Sequence, residues 1–484
     1  RQGCPASGSL FVLAMDPCIR FIMSKVGPKR GILMAFADDL AAAVKDLFQA
    51  LAILDEAFQT VALCSSLRLH PGKVVVIPLW KFVESEVREA IANVAPRLAT
   101  ALIQDYGKLL GVFIGPGAPA RQWSSVRLEL RVRSRFLASL GMAWSGVLPV
   151  FRSHVLPVSS HRAQMCPILT CMLRTEESCM AIVTKTPYRA VPAKLFFHGR
   201  AFGLGIDVPD LMTLGQAATY RAAESSGVLH EVVREHARAR ASRDQNLSPF
   251  LREWTKAGVV GHMYSTQVRL KNSFSTPPFS GKGLQAWVVK EIRLEAGLGD
   301  PDLALRRRLA GMLGAPVPQE VVHRLRTRML ALASRMPPVV MSSVVKSACN
   351  AWTTSGRFAG PNLPCPFGCR AERGDKWSHF VTCTAIRRMW REACPSAHTA
   401  FDELTLENVL MITAAMPNEV ICQVALWVDV VGHLSNDIRA RGTTPTRAFR
   451  DGGEMIRARL RQLAVQSDLA RAVIIVIRAG QPAG

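Results

Sequence analysis

Apolar and polar positions change their spacing several times along the chain. From Leu10 to about Lys25 the apolar residues fit a helix. From about Asp46 they recur at Leu47, Leu51, Leu54, Phe58 and Val61, again at helical spacing. Between these segments Gly31–Phe36 is a short, continuous apolar run. A second run begins at Leu40, and Ala37-Asp38-Asp39 forms the tight turn that separates the two. Pro71-Gly72 breaks the pattern, and the β-branched run Val74–Leu79 predicts a buried strand. Asp105–Gly117 predicts a strand or hairpin edge ending in a Gly-Pro-Gly turn.

From Arg121 onward the text is rich in Arg, Ala and Leu and helical by pattern. Arg127, Arg131 and Arg135 share one helix face. Prolines at 149, 157, 187, 192, 277 and 278 divide this region into short bundles. Residues 355–372 form a loop-rich insert, and a final helical region runs from about 403 to 480. No fixed-period repeat is present.

Composition narrows the class. A chain of 484 residues, 49% hydrophobic and 20% charged, can bury large cores and is not wholly disordered. Sixty Lys and Arg against 37 Asp and Glu give a net charge of +23, so a polyanion is the natural partner, with nucleic acid ahead of an anionic membrane surface. No membrane span is expected: Val74–Leu79, Ala472–Ile477 and Ile421–Val431 are too short or carry a charge. No signal peptide is visible, and the first residue is Arg1, so the chain reads as a fragment lacking its beginning. Most of the 12 cysteines stand alone in apolar text, as at Cys18, Cys64, Cys349 and Cys422, and are expected to be buried, reduced thiols.

The turn at Phe36-Ala37-Asp38-Asp39 sets two adjacent carboxylates between two apolar segments. A hairpin tip can present carboxylates without burying them unpaired, and hard oxygen ligands of this kind hold the Mg²⁺ that nucleotidyl transfer needs. Taken alone, an Asp pair is more often a helix cap. Its neighbours change the balance. Upstream lies Arg1-Gln2-Gly3-Cys4-Pro5-Ala6-Ser7-Gly8-Ser9-Leu10-Phe11, and downstream come Leu67–Lys73 and then Lys108–Gly115.

In that order and spacing the set resembles the reverse transcriptases of LINE-type (non-LTR) retrotransposons. The opening is similar to motif B, the Asp pair to the [FY]ADD box of motif C, the Lys73 segment to motif D, and Leu110-Gly111-Val112 to the primer grip. Gly8 and Leu109 depart from the family's Pro and Tyr. The resemblance implies that Asp38 binds a catalytic Mg²⁺ with Asp39 assisting, and that Lys73 serves as general acid or charge stabiliser. It implies that Gln2, Gly3, Phe36 and Ala37 line the nucleotide and template pocket. The partners it implies are an RNA template, a DNA primer and a dNTP, at an intracellular site of action in the nucleus. The family's motif A carries a further aspartate ahead of motif B, so this chain alone is expected to be inactive. The other expectation is a non-catalytic nucleic-acid-binding relic of such an element.

Cys365-x3-Cys369-x9-His379-x3-Cys383 brings three thiols and one imidazole into 19 residues, the donor types of a tetrahedral Zn²⁺ site. Gly368 and Gly374 sit where the chain must turn, and His379 and Cys383 lie one helical turn apart. The set resembles the CCHC knuckle found after the thumb in several non-LTR reverse transcriptases. Four ligands close the shell, so the zinc would be structural. Residues 361–375 offer little apolar surface, so this loop is expected to need the metal to fold. Trp377, Lys376, Arg370 and Arg373 read as either a nucleic-acid contact or plain solvated surface. The arginine runs 121–135, 234–243, 306–308, 324–328 and 439–461 read partly as solvated helix faces and partly as a grip on a template–primer backbone.

The fold class expected is therefore α+β. A truncated reverse-transcriptase palm (1–120) is followed by a mainly α-helical thumb and connection (121–354). A zinc knuckle (355–395) and a C-terminal helical region (396–484) complete it.

Overall fold

The computed structural model describes residues 6–37, 39–166, 168–227, 283–289, 302–358, 363–369, 371–372, 374–395, 401 and 404–479. Among them the chain is mostly helical with a few short strands. It divides into two units, with the boundary at residue 126, inside the Ser124–Ser139 helix.

The first unit is built around one helix. In chain order it holds α1 (Ser7–Val26), β1 (Gly31–Phe36), β2 (Asp39–Val44), α2 (Leu47–Ser65), β3 (Val75–Val76), α3 (Glu84–Val94), β4 (Leu102–Ile103), β5 (Gly107–Leu109) and β6 (Val112–Ile114). Asp46 starts α2 by accepting a hydrogen bond from the Gln49 amide at 3.0 Å. The apolar positions of α2 then serve two cores. Leu54, Ala57 and Val61 pack with Ile22 and Val26 of α1 and Leu33 of β1. Leu51 packs with Val76, Val87, Ile91, Leu98 and Ile103. Buried Asp55 pairs with Arg97 at 3.2 Å.

The sequence pattern left α2 out of the membrane question. Among the described residues it is nevertheless the one helix long and apolar enough to cross a bilayer. Its apolar positions pack on two sides and Asp55 pairs with Arg97, although only 33% of its apolar window is buried.

The strands form three separate pairs rather than one sheet. β1 and β2 are antiparallel, β5 and β6 are antiparallel, and β3 runs parallel to β4 across α3. The strand expected over Val74–Leu79 is only Val75–Val76. Pro78 has no N–H to extend the ladder, and Val75 is 38% exposed.

The second unit is helical. Pro338–Ala348 packs on Asn418–Ala440, and Thr384–Ala393 packs on Pro445–Gln466, which Thr444 caps. Every cysteine among the described residues is a free thiol, most of them buried, although Cys64 is exposed. At the centre lies Asp429, wholly buried. It accepts from Ser343 Oγ at 2.7 Å and from Arg459 Nε at 2.9 Å, and His433 Nδ1 lies 3.2 Å from its carboxylate. Burial pushes the Asp429 carboxyl up, but the His433, Arg459 and Ser343 contacts outweigh it and hold the group below its ordinary value.

Asp429→Ala should destabilise the second unit by about 3–5 kcal/mol, because it strands Arg459 in the interior. A fully apolar exchange, Asp429→Leu with Arg459→Met, should recover much of that loss. Because the carboxyl is held low, its contribution is present above the ordinary Asp range and disappears as pH falls through the folded-state value. Urea unfolding of the three proteins across acid pH measures both effects.

Candidate metal centre and carboxylate hairpin

The four donors found in the sequence converge. The ligand atoms of Cys365, Cys369, His379 and Cys383 all lie within 4.8 Å of one another. Cys365 and Cys383 Sγ are 3.7 Å apart, close to the edge of about 3.8 Å that a tetrahedron with ~2.3 Å Zn–S bonds requires. Cys369 Sγ and His379 Nε2 are 3.1 Å apart, slightly inside the ~3.5 Å expected for a zinc-bound S–N edge. Cys365 and Cys383 are buried, while Cys369 and His379 are half-buried. The donor set and its spread fit a structural zinc ion with no open coordination position.

Local structure explains the convergence. The Cys365 amide bonds to the Ala371 carbonyl and the Asp375 amide to the Leu363 carbonyl, folding the strip into a knuckle. Gly368 turns the chain at φ +83°, and a side chain at Gly374 would strike the Cys365 side chain. His379 rides on the short helix Trp377–Thr382, and Cys383 caps the next helix, Thr384–Ala393.

The knuckle also has an apolar anchor that the sequence reading did not credit. Phe367 is fully buried edge-to-face on Phe380, with centroids 5.2 Å apart. Asp375 is buried, bonded to the Ser355 amide and paired with Arg439. The loop therefore has apolar and ion-pair packing of its own, more than the sequence pattern suggests. Trp377 is neither a stacking platform for nucleic acid nor solvated surface. It is buried against Trp352, with Trp427 and Phe380 beside it. Lys376 is exposed, and Arg370 and Arg373 lie outside the described residues.

A hydrogen bond with Cys383 and then burial push the Cys365 thiol up to about 12, and burial raises Cys369. Without metal these ligands are protonated, so zinc binding releases protons.

The carboxylate turn is a hairpin tip. Phe36 pairs directly with Asp39, leaving a two-residue loop in which Ala37 adopts φ +52°. Phe36, Ala37 and Asp39 are all exposed there. Asp38, Gln2 and Gly3 lie outside the described residues. Leu110-Gly111 is likewise a two-residue loop, between β5 and β6, with φ +48° and +85°, and Val112 is buried at the start of β6. Lys73 is exposed in the turn Pro71–Lys73 just before β3. The β5–β6 hairpin sits close to that segment, because a side chain at Gly107 would come within 2.8 Å of Ile77. Ile77 thus meets the open end of that hairpin, at Gly107 and Gly115, which is the end opposite the Leu110-Gly111 loop.

The arginine runs are largely engaged within the protein. Arg324 donates to the Ile412 carbonyl, and Arg328 to those of Met411 and Thr413. Arg326 pairs with Asp302, and Arg306 bonds the Val317 carbonyl. Arg457 and Arg461 share Glu454, and Arg447 and Arg450 share Asp451. The run 234–243 lies outside the described residues.

Sequence reasoning missed two further features. Lys346 lies over the rings of Trp144 and Trp352, 5.5 and 5.4 Å from their centroids. Asp429 was visible only as the one charge in an apolar run, which is itself the sign of a buried, paired carboxylate. No protein-family model matches the chain, and no curated protein is significantly similar to it.

The purified chain should carry one zinc per molecule, counted by elemental analysis. Cys369→Ser should lose it and raise amide exchange through 363–375. The β1–β2 hairpin should be unchanged, and Phe367 should stay buried. Retained stoichiometric zinc in the variant would rule out this ligand set.

Proposed function

We propose that the chain is part of an RNA-directed DNA polymerase of the non-LTR retrotransposon type, joining a dNTP to a DNA 3′-OH on an RNA template. The observation that carries this reading is the Phe36–Asp39 tip, where a two-residue loop displays Asp39 to solvent at the end of an antiparallel hairpin. A polymerase needs carboxylates placed in this way, rigid in the backbone and open to a triphosphate. The ordered neighbours support it: the RQGCPASGSLF opening, the exposed Lys73, and the Leu110-Gly111 turn that joins β5 to β6.

In this reading the first unit is the part of the palm that spans motifs B to E. Asp38 and Asp39 would hold Mg²⁺, which supplies charge stabilisation at the triphosphate and activates the hydroxyl. Gln2, Gly3, Phe36 and Ala37 line the nucleotide and template pocket. Lys73 approaches the leaving pyrophosphate as a cation or proton donor. Leu110-Gly111-Val112 positions the primer end. The zinc knuckle is a structural clamp in the helical region and takes no part in the chemistry. Action on chromosomal DNA would place the protein in the nucleus.

Two readouts test this together. The chain should bind an RNA/DNA hybrid with little sequence preference and with affinity that falls steeply with salt. With Fe²⁺ and ascorbate replacing Mg²⁺, hydroxyl radicals should cut the backbone within residues 36–40. Excess Mg²⁺ should suppress the cut, and Asp38→Asn or Asp39→Asn should abolish it. Hybrid binding without a cut at the hairpin would leave a non-catalytic nucleic-acid-binding relic. Absence of both would overturn the reading altogether.

A further inference from the structure

The second unit holds a cleft of about 460 Å³ with no role in the polymerase reading. It lies between the Thr170–Thr184 helix, the segment 186–196 and the Asp302–Leu313 helix. That volume is within the range of small-ligand sites. Its floor is apolar: Met180, Val191 and Phe196 line it and are almost wholly buried. Its rim is cationic. Arg189, Lys194 and Arg307 are exposed there, and Arg308 is half-buried beside them.

Among the described residues the only carboxylate lining the cleft is Glu177, and it is occupied. Arg189 Nε lies 2.7 Å from it, and the Tyr188 hydroxyl donates to it at 3.0 Å. Among the described residues, four cations against one carboxylate leave a surplus of three positive charges. Lys194 and Arg307 have no ion-pair or hydrogen-bond partner among the described residues. They differ in this from the arginines that grip carbonyls elsewhere in the unit.

The rim is also held in place. Arg189 sits at φ +57°, an uncommon conformation for a residue with a side chain. Its side chain is fixed by Glu177, and its carbonyl accepts from Arg308 at 2.6 Å. Two ordered guanidinium groups thus stand beside two unpartnered cations, above a floor that can take a flat apolar body.

We propose that this cleft binds a nucleotide through its phosphate. The phosphate oxygens meet Lys194 and Arg307, with Arg308 alongside, and the base lies against Leu303 and Pro192, over Met180, Val191 and Phe196. Guanidinium pairs suit phosphate geometry, and a partly enclosed site strengthens them relative to open surface. The source is either a free nucleotide or the phosphorylated end of a strand. An acidic peptide has the charge but lacks a flat body for the floor. The proposal does not rest on the polymerase reading, since neither hairpin nor the zinc knuckle contributes a residue.

The test uses the full chain and a fluorescent N-methylanthraniloyl dATP. Binding should saturate, and Lys194→Ala with Arg307→Ala should weaken it at least tenfold. Arg441→Ala, an exposed charge removed elsewhere, should leave it unchanged. A second arm compares one oligonucleotide with and without a 5′-phosphate. A preference for the phosphorylated form that the double variant loses assigns the strand end, and no preference assigns the free nucleotide. Equal nucleotide affinity in the double variant and the parent chain would overturn the proposal. So would a cleft that binds polyglutamate and no nucleotide. Both rim side chains are exposed, so circular dichroism should confirm that the double variant is folded.

Discussion

One buried carboxylate organises the helical half of the molecule. Asp429 lies in the middle of a helix whose neighbouring residues are almost all apolar, and its charge must be answered from outside that helix. Ser343 answers from Pro338–Ala348 and Arg459 from Pro445–Gln466, while His433 answers from one turn along. Three helices are thereby fixed in register. Such a network gains little over a well-packed apolar core, but it penalises every arrangement that leaves one member alone. The same helix also braces the candidate metal centre. Arg439 reaches Asp375 in the knuckle, and Trp427 and His433 frame the Trp352–Trp377 stack. The four candidate ligands are flanked by this packed aromatic and ion-paired scaffold.

Charge is used in two different ways. A net +23 invites the view that the arginines form one surface for a polyanion. In the structure many of them act as connectors. Arg324 and Arg328 secure the 411–413 carbonyls, and Arg326 secures Asp302. Guanidinium is suited to this, since its planar fork can meet several acceptors at once. What remains for a ligand is a smaller set of unengaged cations, and the rim of the cleft near Arg307 concentrates two of them.

How much of this was legible depended on how local each signal is. The helix over Leu47–Ser65 and the hairpin around Ala37-Asp38 follow from periodicity and a turn, which are short-range properties. The Cys365–Cys383 set was legible because donor type and spacing constrain each other within 19 residues. The burial of Trp377 was not, because its partners Trp352 and Trp427 are 25 and 50 positions away. Arg459 is 30 positions from Asp429, and nothing in the intervening sequence couples them. Phe367 escaped notice because a single aromatic in a Gly/Pro-rich loop carries no periodicity. The cleft joins residues 177–196 to 303–308, which no linear pattern relates.

The central claim is that Cys365, Cys369, His379 and Cys383 form one closed tetrahedral centre that ties the knuckle to its helical scaffold. Zinc K-edge X-ray absorption on the full chain tests it most directly. The account predicts a shell of three sulfurs at about 2.3 Å and one nitrogen at about 2.0 Å, with no further light-atom ligand. A shell of only oxygen and nitrogen, or one with a water in place of His379, would contradict it.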